Sequence, residues 1–270
     1  MEPLILVTGS TDGIGKATAG ALVRQGARVI LHGRSRAKAR EVQRELQEVS
    51  GGEKPDILVA DFSAQDEVRS MADEVVSTFP KLDVLINNAG TYQEARTLTD
   101  DGVEMTFAVN YLAPFLLTGL LLPLLRESAP SRIVNVASSA HEDVSRIDWD
   151  NLPDMPRYDP WEAYSLSKFG DIVFTYLLAE KLEGSGVTVN CLHPGVTDTK
   201  ILNNAFPGMR GISPEEGART SVYLAVSPEV AGVSGKYFEE MQPAGSTALT
   251  HDRAVQERFW KIAEDLTGLE

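Results

Sequence analysis

Short apolar runs alternate along this chain with longer amphipathic stretches, and that alternation sets the elements it predicts. Leu4-Ile5-Leu6-Val7 is apolar at every position and too short for a helix. A strand buried on both faces of a parallel sheet has this character. A glycine-rich turn follows from Thr8 to Gly15, and then Ala17, Ala19, Ala21, Leu22 and Val23 read as helix. The pattern recurs, with strands predicted over 28–32, 56–60, 82–87, 132–137, 187–192 and 236–239. Helices are predicted over 35–49, 63–79, about 102–126, 160–182, 214–226 and 253–266. Strict alternation of strand and helix predicts an α/β fold, a single domain over 1–270. Its doubly wound parallel sheet would have about seven strands, with helices on both faces. Ligands of such sheets bind at the carboxyl ends of the strands, where the winding reverses.

Composition narrows the class. The chain has 270 residues, and 25 Lys and Arg against 39 Asp and Glu leave a net charge of −14. A surface this acidic argues against nucleic acid as a partner. The single cysteine, Cys191, can form no intrachain disulfide, which fits a reducing, cytoplasmic compartment. With the first strand at Leu4, no signal peptide is expected ahead of the fold. The most apolar run, Ala113 to Leu125, holds 13 residues including Pro114 and Pro123. A membrane span needs roughly 20 residues, so none is expected. His32, His141, His193 and His251 show no metal-ligand spacing, and no metal site is expected.

The turn after the first strand carries the first candidate chemistry. Gly9, Gly13 and Gly15 within Gly9-Ser10-Thr11-Asp12-Gly13-Ile14-Gly15 link a strand to a helix. Backbone N–H groups in such a turn close on a pyrophosphate at the positive end of the helix dipole. Gly9 would make the tight turn, Gly13 would admit the ligand and Gly15 would let helix and strand pack closely. An ordinary glycine-rich turn is the plainer reading. The flanking strand and helix favour a nucleotide and hence a Rossmann-type fold.

Tyr164-Ser165-Leu166-Ser167-Lys168 carries the second. Tyrosine and lysine at i and i+4 share a helix face. A free phenol ionises near pH 10, and a neighbouring ammonium favours the phenolate. Such a pair is also common on helix surfaces by chance. Ser138 and Ser139 follow the fifth strand, Asn87-Asn88-Ala89-Gly90 ends the fourth, and Pro194-Gly195 follows the sixth.

In this order, TGSTDGIG, NNAG, a strand-end serine, YSLSK and PG resemble the short-chain dehydrogenase/reductase pattern along nearly the whole chain. Finer pieces, NYLAPFLLT, SRIVNVASSAH, AYSLSKFGDIVFTYLL and FWKIAEDLTGL, are similar to its retinol-dehydrogenase-like branch. The resemblance implies an NAD(P)-dependent oxidoreductase that moves a hydride between nicotinamide and a small-molecule carbonyl or alcohol. It implies Tyr164 as general acid–base and Lys168 as the group that favours its ionised form and holds the nicotinamide ribose. Ser138 would position the substrate oxygen, with Ser139 as the fallback, and Asn110 would complete the catalytic set. Cofactor contacts would come from the turn residues 9–15, Asp61 and Phe62 at the adenine, and Asn88, Ala89 and Gly90. Pro194 and Gly195 would also border the cofactor, and Thr197 and Thr199 after them would meet the carboxamide. Asn88 reads equally well as a brace between central strands. The segment from His141 to Ala163, longer than usual in the wider family, should border the substrate pocket. Residues 199–215 would form a substrate lid, or else a merely flexible loop. Many members of the branch carry an N-terminal membrane anchor; none is expected here.

Two further expectations rest on single residues. Family members that prefer NAD place an acidic residue at or near Gly33, which this chain lacks. Arg34 could instead pair with a 2′-phosphate, so NADP(H) is expected over NAD(H), although Asp12 stands where many NADP-dependent members have a basic residue. Pro114 has no N–H to offer the Asn110 carbonyl, which predicts a bend there and a carbonyl in need of another donor. The resemblance implies that this donor is a water leading to Lys168; a kink that merely serves packing is the other reading. The apolar residues Phe169, Ile172, Val173 and Tyr176 read as core, or as the face of a homodimer or homotetramer. A rival reading is an idle dinucleotide-binding sensor or scaffold of the same fold, against which Ser138, Tyr164 and Lys168 argue. An epimerase or dehydratase would carry a different glycine spacing.

Overall fold

All four residues of Leu4–Val7 are buried, because this strand lies inside the sheet with helices on both faces. The computed structural model describes residues 2–50 and 54–269. Its elements are β1 (Leu4–Val7), α1 (Gly13–Arg24), β2 (Arg28–Gly33), α2 (Arg36–Ser50), β3 (Asp56–Val59), α3 (Gln65–Thr78) and β4 (Val84–Asn87). A continuous helical run follows: α4 (Met105–Phe107), a π-turn over Ala108–Leu112, and α5 (Ala113–Glu127). Next come β5 (Ser131–Val136), α6 (Pro160–Lys181), β6 (Val187–His193), α7 (Lys200–Ala205), α8 (Pro214–Gly217) and α9 (Arg219–Val226). β7 (Lys236–Glu239), β8 (Gln242–Ala244) and α10 (Arg253–Thr267) close the chain.

The strand order is β3-β2-β1-β4-β5-β6-β7-β8. The winding reverses between β1 and β4, so the turns leaving those two strands flank one crevice. Successive residues of each strand feed opposite faces: Leu4, Leu6, Ile30 and Leu85 pack with α3, α5, α6 and α10. Ile5, Val7, Leu31 and Ile86 pack with α1, α2 and α9. Both faces being apolar is why the strands read as unbroken apolar runs.

Three expectations need correction. Among the described residues the sheet has eight strands, one more than the about seven expected. The last, Gln242–Ala244, is three residues long, contains Pro243 and pairs antiparallel with β7, so it left no periodic signal. The helix expected from about Gly102 starts at Met105, where the Glu104 carboxylate accepts the Phe107 N–H at 2.8 Å, and it changes pitch at the π-turn. There the Ala113 N–H reaches back to the Ala108 carbonyl, five residues away, so the interruption that Pro114 foretold takes the form of a widened turn. Finally, this run is longer than the 13-residue apolar stretch suggested. Met105–Glu127 spans 23 residues, long and apolar enough to cross a membrane; its most apolar 18-residue window has a mean hydropathy of 1.8, yet 72% of that window is buried inside the fold. The apolar residues Phe169, Ile172, Val173 and Tyr176 of α6 are likewise buried.

Candidate active site

The turn between β1 and α1 is built by close backbone approach. Gly9 has φ +64°, and a Cβ on it would stand 2.8 Å from Ala89 Cα. A Cβ on Gly15 would collide with the Gly9 carbonyl and the Asn88 amide. Neither position admits a side chain without moving the β1–β4 crevice apart. Thr8 Oγ1 accepts the N–H groups of Asn88 and Ala89, both at 2.9 Å, and Asn88 Nδ2 donates to the Thr8 carbonyl at 2.8 Å. Asn88 is thus a brace between the two central strands, as one of its two readings held. Asp12 caps α1 by accepting the Gly13 N–H at 2.9 Å, and its other oxygen pairs with the Lys200 ammonium from α7. Beyond the cap, the first N–H groups of α1 have no partner inside the helix and face its positive end. That is a fitting seat for a pyrophosphate, and the residues present match a dinucleotide.

Behind the turn lies a residue with no expected role. The buried His32 accepts the Gly9 N–H at Nδ1, 3.1 Å away, and Nε2 faces the Ala60 carbonyl at 3.1 Å. A carbonyl only accepts, so the proton sits on Nε2 and the ring is neutral. Burial pushes its pKa down to about 4. The Phe62 ring stacks on this imidazole at 4.3 Å, and Ser10 is spent on the His32 backbone through its N–H and hydroxyl. Thr11 packs against Gly33, where a Cβ would lie 2.6 Å from the Thr11 methyl. Arg34 is exposed, with Asp61 3.8 Å away.

On the other side of the crevice, α6 delivers the titratable pair. Lys168 is buried and donates from Nζ to the Val136 carbonyl at 2.8 Å and to Asp171 Oδ2 at 2.9 Å. The first bond pins α6 to the carboxyl end of β5, two residues before Ser138. Ser138 Oγ accepts the Ala140 N–H at 3.1 Å, which leaves its own proton to donate. Ser139, the fallback, is engaged with His193 Nε2 at 3.3 Å. Asn110 is buried in the π-turn: its Oδ1 accepts the Thr91 N–H at 2.7 Å, and its Nδ2 donates to the Thr91 carbonyl and Ser167 Oγ, both at 3.0 Å. Ser167 in turn donates to the Tyr164 carbonyl at 2.7 Å. The strand end at β4, the π-turn and the first turns of α6 are therefore one hydrogen-bonded unit. Trp161 stacks on Tyr164 at 5.7 Å between ring centres, and Tyr92 meets it edge-on at 5.9 Å.

The sequence pattern of the family described as short chain dehydrogenase matches residues 3–210. The chain belongs to the short-chain dehydrogenases. It falls in their retinol-dehydrogenase-like branch. Human retinol dehydrogenase 14 is 42% identical over 290 residues, covering 98% of this chain and 86% of that protein. Human polyprenol dehydrogenase is 36% identical, covering 99% and 86%. A protein of Escherichia coli CFT073 assigned to the short chain dehydrogenases, solved in complex with NADPH, superposes with a TM-score of 0.74 at 28% identity. It covers 87% of this chain and 95% of its own.

In this short-chain dehydrogenase the remaining expected residues cluster at the end of β6. Gly195 has φ +86°, and Thr197 Oγ1 donates to its carbonyl at 3.0 Å. Thr199 caps α7. A Cβ on Gly90 would touch Asn110 Oδ1 at 3.5 Å, so Gly90 lies against the Asn110 side chain. Among the described residues no group of three or more His, Cys, Asp or Glu side chains could hold a metal ion. Thr8, His32, Asp171 and Lys200 went unread as site residues. Only Asp171, three places after Lys168, had a helix-spacing signal to find it by.

Proposed function

We propose that this dehydrogenase moves a hydride between NADP(H) and an apolar carbonyl–alcohol pair, with Tyr164 exchanging the proton. The observation that carries the reading is the buried Lys168 ammonium, held at the end of β5 one helical turn from Tyr164 and two residues from Ser138. The bound dinucleotide supplies the hydride donor or acceptor. Ser138 donates its hydroxyl proton to the substrate oxygen and orients it, Tyr164 gives or takes the proton at that oxygen, and the Lys168 ammonium lies on the same helix face. The N-terminus of α1 with Gly9–Gly15 receives the pyrophosphate, while Asp61 and Phe62 border the adenine. Asn88, Ala89, Gly90, Pro194, Gly195, Thr197 and Thr199 line the rest.

Preference for NADP(H) is supported by the exposed Arg34 at the end of β2. An acidic side chain at 33 would have to displace Thr11, and Lys200 offsets the charge of Asp12. An apolar substrate is supported by the aromatic wall around Tyr164, where Phe206 meets Trp161 edge-on at 5.0 Å. Retinol and polyprenol, named for the relatives, are alcohols of this kind. Phe206 follows α7 within 199–215, the segment we assign as a lid over the substrate.

The test is Tyr164→Phe, with retinol and NADP+ as substrates and absorbance of the reduced nicotinamide as readout. Turnover should fall by more than about a hundredfold while NADPH binding, followed by fluorescence, is unchanged. A variant that keeps most of its turnover refutes the assignment of Tyr164.

A further inference from the structure

Tyr164, Lys168 and Asp171 are spaced four and then three residues apart along α6, so all three share one face of the helix. Lys168 and Asp171 are both buried, with side-chain exposures of 6% and 4%. An ammonium has three donors. Val136 and Asp171 take two of them, which leaves one for the substrate side of the site.

A neutral side-chain amide in the place of Asp171 could accept the same hydrogen bond from Lys168, so the hydrogen bond alone does not call for a charge. What the carboxylate adds is a negative charge 2.9 Å from the ammonium.

We propose that Asp171 is a positioning residue for the reaction, holding the Lys168 ammonium at the end of β5 and tempering the field it projects onto Tyr164. The inference rests on the assignment of Tyr164 as the acid–base.

The other titratable groups around the pair leave that field to Lys168 and Asp171. Tyr111, from the π-turn, faces Asp171, and burial raises its pKa well above the ordinary value. Cys191, from β6, also faces Asp171 and is raised by burial. Beyond Cys191 stand Tyr176, raised by burial to about 12, and Tyr237, raised further by burial and Glu239. All four are neutral at neutral pH. Burial works against the charge on Lys168, but Asp171 and Tyr164 outweigh it and hold the ammonium protonated. Burial also pushes the Asp171 carboxyl up to about 6, against the pull of Lys168, so the carboxyl is ionised at neutral pH and above.

Asp171→Asn keeps the shape and an acceptor for Lys168 while removing the charge. The readout is the ultraviolet difference absorbance of tyrosine ionisation, taken between each protein and its Tyr164→Phe counterpart, which isolates the Tyr164 phenol and needs no substrate. Relative to the native protein, Asp171→Asn should move that midpoint to lower pH by on the order of one unit. The acid limb of the pH–rate profile for retinol oxidation should shift by a similar amount. If Asp171→Asn does not fold, Asp171→Ser replaces it, with the same expected direction. Superimposed titrations in the native and neutral variants overturn the proposal, whatever the change in melting temperature. Survival of turnover in Tyr164→Phe would instead refute the assignment beneath it, and the two failures are read from different proteins.

Discussion

His32 Nδ1 accepts the N–H of Gly9 across 3.1 Å, so an imidazole at the end of β2 holds the first glycine of the nucleotide turn. The bond exists only while His32 is neutral, because a protonated ring has no lone pair to accept with. The residue is thus both a brace for the turn and a pH-dependent contributor to stability.

Its sign follows from linkage. Burial lowers the His32 pKa from 6.5 to about 4, so between those values the unfolded chain binds more protons than the folded one. Stability present above about pH 6.5 is therefore lost as the pH falls toward 4, by up to about 3 kcal/mol for this group. His32→Phe keeps an aromatic ring against Phe62 and removes the titration. In urea unfolding, its loss of stability between about pH 7 and 4.5 should be smaller than that of the native protein by about 2–3 kcal/mol. Asp171 contributes in the opposite direction in both proteins and cancels from the difference. Parallel pH curves would show that His32 does not govern this window.

Asn110 satisfies both backbone groups of Thr91 and also reaches Ser167, all from a side chain 1% exposed. Asn110→Ala leaves these three partners short of a bond in a buried site. We expect a loss of about 2–4 kcal/mol in stability and a fall in kcat greater than any rise in KM, since the Tyr164 turn of α6 loses its tether. Denaturant melts and steady-state kinetics check both. A variant as stable and as active as the native protein would remove Asn110 from the unit.

Arg34 is 76% exposed on its side chain and Asp61 lies no nearer than 3.8 Å, so its guanidinium is free to meet an anion. Arg34→Asp should weaken NADPH binding by about 1.5–3 kcal/mol, or roughly tenfold to a hundredfold, and leave NADH binding nearly unchanged. Titration of both cofactors by fluorescence is the measurement. Equal losses for the two would remove the case for a 2′-phosphate site at Arg34.

Much of the site was legible from local spacing. The run Leu4–Val7, the glycine turn and the helix after it are contiguous, and helical geometry alone puts Tyr164 and Lys168 on one face. Pro114 announced an interruption in its helix, because the loss of an N–H is a property of the residue; that the helix would widen into a π-turn was not visible. The strand Gln242–Ala244 escaped notice for a related reason. Three residues with a proline have no periodicity to read, and only the edge of β7 makes them a strand.

What the sequence by itself determined is the order of elements, the two-faced sheet and the residue types at the strand ends, since these depend on repeat spacing and on chain connectivity. Tertiary structure alone decided which polar groups meet there. Gly9 and His32 are 23 residues apart, Lys168 and Val136 are 32, Thr8 and Asn88 are 80, and Asp12 and Lys200 are 188. A buried polar side chain must find a partner, but many partners satisfy it equally well. The choice among them is made only when sheet order and loop packing bring particular atoms within hydrogen-bonding distance.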